Sequence, residues 1–451
     1  MSHDSPKKLT TLDATLMTMG GIIGIGIFFN PQQGAAAVPH TAGFLSLWVF
    51  GGLIALCAAF TFAELGAALP KTGGWFVFLR EGFGRYPAFL FAWVVLLVVS
   101  TGATAAVAGF CAAQFSTAFP GVVGEEGVLA PRVFAALLLV TVTAVALSGV
   151  KRAALVQNAC MLVKLLALAA LVLCGFVFLG DDRATPEPVA EDAGAPGVQG
   201  SFVAAWLSAL LPTFFAYGGW QMVAYIAPEV RDPVRTIPRA IVLGVVGVVI
   251  VYTLSNLSFV LVLGVDGLAR DPSFATTIAA GAFGERGARV LAAAMAVSAL
   301  GWVIVNVVAA PWLYVAMARE GLFFESVGRV HPRRGVPVIA LVVQCAIALA
   351  YLFATLEFLV NATVFVEWFF HGLVALALIR LRRTRSDIPW AYSSPLFPLA
   401  PSVYAFAAVL ITGNTLWTGD WQVRGWGLAI VAAGTAAYAL WRGASRSSAT
   451  A

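Results

Sequence analysis

Apolar residues run through the chain in long segments, separated by short stretches rich in Arg, Lys, Gly and Pro. About 20 apolar residues suffice to cross the hydrocarbon core of a bilayer as a helix. The pattern predicts twelve such helices, near residues 12–38, 42–69, 86–115, 131–149, 154–180, 201–226, 239–264, 288–316, 337–354, 358–380, 397–417 and 423–442. The first of them is interrupted. Its stretch LMTMGGIIGIGIFFNPQQG, Leu16 to Gly34, places Gly20, Gly21, Gly24 and Gly26 within seven positions. Glycine in mid-helix costs about 1 kcal/mol relative to alanine. A helix opened in lipid exposes N–H and C=O groups, which is tolerable only where they line a cavity or bind something. A break at Ile23, Gly24, Ile25 and Gly26 offers amides to an anion and carbonyls to a cation. Close packing between helices is the other use of such glycines.

A second interruption falls in the sixth segment, where Pro212, Gly218 and Gly219 stand among Phe214, Phe215, Tyr217 and Trp220. Its place in the second group of five segments matches that of the first segment in the first group. Paired interruptions of this kind point to inverted repeats with a binding site at the bilayer midplane.

Composition agrees with the segment pattern. Hydrophobic residues make up 60% and charged residues 11%, and the mean hydropathy is +0.90, which is membrane-protein territory. The net charge of +5 reads as positive-inside loop bias rather than nucleic-acid binding. With both termini inside, twenty Lys and Arg residues fall on the inner side and six outside. No cleavable signal peptide is expected. Cys57, Cys111, Cys160, Cys174 and Cys345 all lie in apolar runs at no metal-like spacing, so they are expected to pack, with neither disulfide nor metal. The acidic, Pro/Ala/Gly-rich stretch 181–200 is expected to be an outer loop with little fixed structure.

Few charges enter the predicted spans. Lys164 lies twelve residues beyond Arg152, about 18 Å along a helix, too deep to snorkel, and is expected to face the protein interior or water. Glu64 closes the second span as a solvated or helix-pairing group. Glu367 and His371 stand four apart on one face of the tenth. A buried acid beside an imidazole can relay protons, or the two can form a structural pair at a cavity edge.

Several motifs carry a resemblance. Gly20-Gly21-Ile22-Ile23-Gly24-Ile25-Gly26-Ile27-Phe28 resembles the first-helix signature of the amino acid–polyamine–organocation superfamily. Phe215-Ala216-Tyr217-Gly218-Gly219-Trp220 resembles the sixth-helix motif of its L-type amino acid transporter branch. Pro228-Glu229-Val230-Arg231-Asp232-Pro233, Phe62-Ala63-Glu64-Leu65 and Ala318-Arg319-Glu320-Gly321 are similar to other family stretches, in the right order. Pro311-Trp312, where Ser-Arg is common, and Glu367, where an uncharged residue is usual, depart from the pattern.

The resemblance implies an all-α, LeuT-type fold. A tail, 1–11, precedes a first repeat of five helices, 12–180. A second, inverted repeat, 201–380, follows the outer loop. A cytoplasmic loop, 381–396, then leads to two further helices, 397–442, and a tail, 443–451. Carried over, the amides of Ile23, Gly24, Ile25 and Gly26 hold a substrate carboxylate, and carbonyls near Phe215, Ala216 and Gly218 take its ammonium. Phe215 gates the site, and Lys164 stands where related transporters bind sodium, either as a proton carrier or as a fixed brace between the first and eighth helices.

The function expected is secondary transport of small or aliphatic neutral L-amino acids across the inner (cytoplasmic) membrane by alternating access, without sodium, by exchange or proton coupling. No acidic side chain stands in sequence at either break, which argues against cationic amino acids or polyamines, the alternative substrates. A transport-dead amino acid sensor is the alternative of a different class. An enzyme is not expected, since no HExxH, GxSxG or paired intramembrane aspartates occur. No cofactor, nucleic acid or ancillary subunit is expected; homo-oligomerisation stays open.

Overall fold

The computed structural model describes residues 8–123, 129–177, 202–354, 356–418 and 421–447. The predicted outer loop 181–200 and the ends of both tails lie outside these residues. Among the described residues the regular structure is helical, with only two isolated bridges, Leu9 with Val230 and Pro120 with Val123. The helices are α1 (Thr11–Ile22), α2 (Gly26–Ala37), α3 (Thr41–Ala68), α4 (Trp75–Phe83), α5 (Arg85–Val94), α6 (Ser100–Ala118), α7 (Leu129–Leu147) and α8 (Val150–Val177). After the outer stretch come α9 (Phe202–Tyr217), α10 (Met222–Tyr225), α11 (Pro233–Arg270), α12 (Phe274–Ala309), α13 (Pro311–Arg319), α14 (Val338–Tyr351), α15 (Leu356–Thr384), α16 (Leu399–Thr418) and α17 (Trp421–Ser447).

Among the described residues, five helical stretches are long and apolar enough to cross a membrane unaided: Thr41–Ala68, Arg85–Ala118, Val150–Val177, Pro233–Arg270 and Phe274–Arg319. Helix α14, with 14 residues, is shorter, and the first predicted span is interrupted. Helices α1 and α2 have 12 residues each, about 18 Å against about 30 Å of hydrocarbon, so neither half spans alone.

Three features differ from the apolar pattern. Helix α11 continues past the predicted boundary at 264, bending at Gly264 (φ 67°), and α12 starts fourteen residues early and bends at Gly284 (φ 69°). Both extensions carry charged residues, which end a run of apolar positions without ending a helix. Helix α4 falls between predicted spans; it buries Trp75, Phe76 and Phe78 while Arg80 and Glu81 reach its flank. A π-helical turn, Val95–Val99, joins α5 to α6.

Sidedness is that of a protein surrounded by lipid. On α8, Leu162, Leu166 and Leu173 are exposed, whereas Gln157, Lys164 and Leu168 are buried. Polar groups turn inward because lipid offers them no partner. At the centre, α11 packs against α1, α3 and α8, while α12 packs against α6 and α8. Cys111, Cys160 and Cys174 are buried, Cys57 and Cys345 half-buried, and all five are free thiols.

Charged residues tie the helix ends together. Glu64 is fully buried, pairs with Arg382 and accepts the Ser394 N–H at 2.8 Å. It is therefore a helix-pairing group, the second of the two roles expected. Arg80 pairs with Glu320 and with Glu81 (2.7 Å), and Arg385 reaches Glu81 (3.1 Å) and Asp387 (2.8 Å). Burial alone would raise the Glu81 carboxyl, but hydrogen bonds from Arg80 and Arg385 outweigh it and hold the group below its ordinary range. Asp13 completes a capping box with Thr10 at the start of α1 and also pairs with Lys151.

Candidate functional site

The first helix opens where the glycines predicted. The Ile23 N–H donates to Met19 O (2.7 Å) and the Gly24 N–H to Ile22 O (2.8 Å), so both amides are used within the chain. Helix α2 then starts at Gly26. The N–H groups of Ile25, Gly26 and Ile27 donate to no acceptor among the described residues. They form the free N-terminal end of α2, a position suited to an anion.

The carbonyls of the same break are taken. Lys164, 1% exposed, donates from Nζ to the Ile23 carbonyl. The Ser298 hydroxyl, on α12, lies 3.4 Å from Gly24 O. Tyr252 of α11 places its hydroxyl 3.2 Å from both Ile22 O and Ala216 O, touching the broken end of each interrupted helix.

The second break lies against the first. Helix α9 ends at Tyr217, and α10 resumes at Met222 for four residues. Gly219 has φ +118°, and a Cβ there would sit 2.1 Å from the Gly21 carbonyl oxygen. Only glycine accepts both that conformation and that approach. A Cβ at Gly26 would lie 2.8 Å from Ala216 Cα, and one at Gly24 would lie 2.9 Å from a Trp302 ring carbon. The packing use of these glycines and the opening of the helix thus occur together. The Gly218 carbonyl accepts no hydrogen bond from the described residues.

Both breaks wall one cavity of about 80 Å³. Ile25, Gly26, Ala216 and Gly218 line it, joined by Val99 and Ser100 at the π-turn and by Trp302 and Asn306 from α12. Gln221, Tyr225, Glu367, Trp368 and His371 complete the wall. Phe214 also faces it and packs on Trp368, ring centroids 5.1 Å apart. The side chain of Phe215, the residue expected to gate the site, lies outside the described residues, although its backbone belongs to α9.

Glu367 and His371 share the cavity wall but not a hydrogen bond. Their nearest approach is 3.7 Å, His371 Nε2 to Glu367 Oε1. His371 Nδ1 meets the Tyr404 hydroxyl, and its ring lies 4.6 Å from Trp75, 4.9 Å from Trp368 and 5.6 Å from Trp220, centroid to centroid. Glu367 instead accepts from Gln221 Nε2 at 3.2 Å. An acidic side chain therefore does stand beside the second break, brought there from 146 positions away. The sequence reading missed this, together with Gln221, Tyr252, Trp302 and Asn306. Their only sequence signal is a lone polar or aromatic residue inside an apolar run. No three metal-ligating side chains cluster among the described residues.

A family model described as amino acid permease matches residues 9–437, nearly the whole chain and both breaks. The chain belongs to the amino acid permease family. Curated relatives include the large neutral amino acids transporter small subunit 2 of Mus musculus, 30% identical, covering 96% of this chain and 81% of that protein. The b(0,+)-type amino acid transporter 1 of the same species is 29% identical over 87% and 79% of the two chains. The serine/threonine exchanger SteT of Bacillus subtilis (strain 168) is 28% identical over 91% and 92%. Members of this permease family are multi-pass membrane transporters rather than enzymes.

Proposed function

We propose that this permease is a secondary transporter of small L-amino acids in the cytoplasmic membrane, working by alternating access without sodium. The observation that carries the reading is the single cavity walled by two broken helices, lined by Ile25 and Gly26 with free amides and by Gly218 with a free carbonyl. An α-amino acid presents a carboxylate and an ammonium, one for each end. Held this way, neither group needs an ionised partner. At about 80 Å³ the cavity is small, which favours the smaller amino acids.

Lys164 supports the sodium-independent reading. Its side chain spans from α8 to the carbonyl end of α1, so an N–H donor already serves the Ile23 carbonyl. In this account it is a brace, and coupling comes from exchange or from a proton carried elsewhere. Glu367 and His371 remain the candidates for a proton relay, with a step of 3.7 Å to close between them. Phe215 is proposed as the gate, and twelve spans in a LeuT-type 5+5 arrangement, with both termini cytoplasmic, as the frame. Glu367 in the cavity wall also favours a second reading, in which the substrate carries a cationic side chain.

The test is the full chain reconstituted in liposomes, loaded or not with amino acid, with radiolabelled substrates outside. Uptake of small neutral amino acids that survives replacement of external sodium by choline is expected. Uptake that collapses in choline removes the sodium-independent reading, and Phe215→Ala at wild-type rate and affinity removes the gate.

A further inference from the structure

We propose that Glu367 and Gln221 form the side-chain subsite of the cavity and select amino acids whose short side chain donates a hydrogen bond. The proposal rests on the amino-acid-transport reading and narrows the aliphatic or polar choice that reading leaves open.

The polar groups of the cavity wall include the Tyr225 hydroxyl and the Trp302 N–H, both donors, and two acceptors that lack one. Gln221 is 2% exposed; its Nε2 donates to Glu367, which leaves Oε1 with no partner among the described residues. In its ionised form Glu367 can only accept, and its second oxygen meets no donor among the described residues. His371 stands too far from it and spends Nδ1 on Tyr404. Asn306, the other amide on the wall, is occupied: Nδ2 reaches Ser100 O (3.0 Å) and the Thr104 hydroxyl (2.7 Å), and Oδ1 takes the Ser100 hydroxyl (3.2 Å). Two acceptors on residues of the cavity wall, the second Glu367 oxygen and the buried Gln221 Oε1, are thus left without a donor among the described residues.

The backbone ends of a substrate have partners elsewhere, at the α2 amides and the Gly218 carbonyl, so these acceptors fall to its side chain. A hydroxyl or an ammonium satisfies them. A methyl in the same place strips them of water and gives nothing back. Sites built to bond a substrate hydroxyl reject analogues lacking it by about 10⁴- to 10⁵-fold; a small, partly open cavity should give about tenfold or more.

The test compares isosteric pairs with the reconstituted full chain: threonine against valine, and 2,3-diaminopropionate against 2-aminobutyrate. Wild-type protein should prefer the donor-bearing member of at least one pair in kcat/KM by about tenfold or more. Glu367→Met should abolish that preference, and Gln221→Met serves as the second variant should the first not be recovered monodisperse. Glu367→Gln keeps an acceptor but no charge, so a preference it retains identifies a hydroxyl and one it loses identifies an ammonium. Equal use of both members of each pair by wild type overturns the proposal. So does a Glu367→Met variant in which both members fall alike, the mark of a purely structural role. Transport of no amino acid at all instead removes the reading on which the proposal rests.

Discussion

The two broken helices meet backbone to backbone, yet they are finished differently. At the first, Lys164, Ser298 and Tyr252 occupy the carbonyls of Ile23, Gly24 and Ile22, and only amides are left unpaired. At the second, α10 resumes for only four residues, the Gly218 carbonyl is free, and the next residues include Gln221, whose partner Glu367 comes from a distant helix. One break is locked by three side chains into an end whose unpaired amides suit an anion. The other combines backbone with exchangeable side chains. A transporter that must hold every substrate by its carboxylate, while choosing among side chains, is served by that division.

Breaking the lock should have the largest effect. Lys164→Ala leaves the buried Ile23 carbonyl unpaired, at about 1–3 kcal/mol, and transport is expected to fall by roughly ten- to a hundredfold. Wild-type uptake in that variant would show that the first break does not depend on its brace. Next is Gly26→Ala, whose Cβ would press on the Ala216 backbone at 2.8 Å. Overpacking of about 1–3 kcal/mol should part α2 from α9, lowering transport about tenfold with a detectable loss of thermal stability. An unchanged variant would mean that the two breaks need not touch.

Changes away from both breaks sharpen the comparison by doing less to transport. Glu64→Gln unpairs Arg382 at the helix ends and should lower Tm by several degrees while transport of the folded fraction stays within about twofold. A larger loss of transport than of stability would assign Glu64 a part in the cycle. The smallest effect expected is with acid. The Glu81 carboxyl is held below its ordinary range by Arg80 and Arg385, so its stabilising contribution is complete at neutral pH and is lost as pH falls below the ordinary carboxylate range. Glu81→Gln should flatten that part of the Tm-against-pH curve; an identical curve would show that the pair contributes nothing.

Local chemistry carried much of this to the sequence. Four glycines in seven positions located the first opening, and Pro212 with Gly218 and Gly219 located the second, because each exposes backbone that lipid cannot satisfy. The depth of Lys164 announced a buried partner, though not that it would be the Ile23 carbonyl. What stayed hidden depends on contacts between distant segments. Glu367 pairs by sequence spacing with His371, one turn away, and only the fold turns its carboxylate to Gln221. Tyr252 looks like any aromatic in an apolar run until α11 places its hydroxyl between two helix ends. The charged arms of α11 and α12 escaped because hydropathy marks where a span stops, not where a helix does.

The central claim is that the free amides of Ile25, Gly26 and Ile27 hold the substrate carboxylate, and competition by substrate amides tests it most directly. For the best transported amino acid, the analogue whose carboxylate is replaced by a neutral carboxamide should compete poorly. Losing one or two charge-assisted hydrogen bonds at about 1.5–3 kcal/mol each weakens binding tenfold or far more. If the carboxamide competes as well as the parent acid, the carboxylate is not read at this break, and the glycines are there for packing alone.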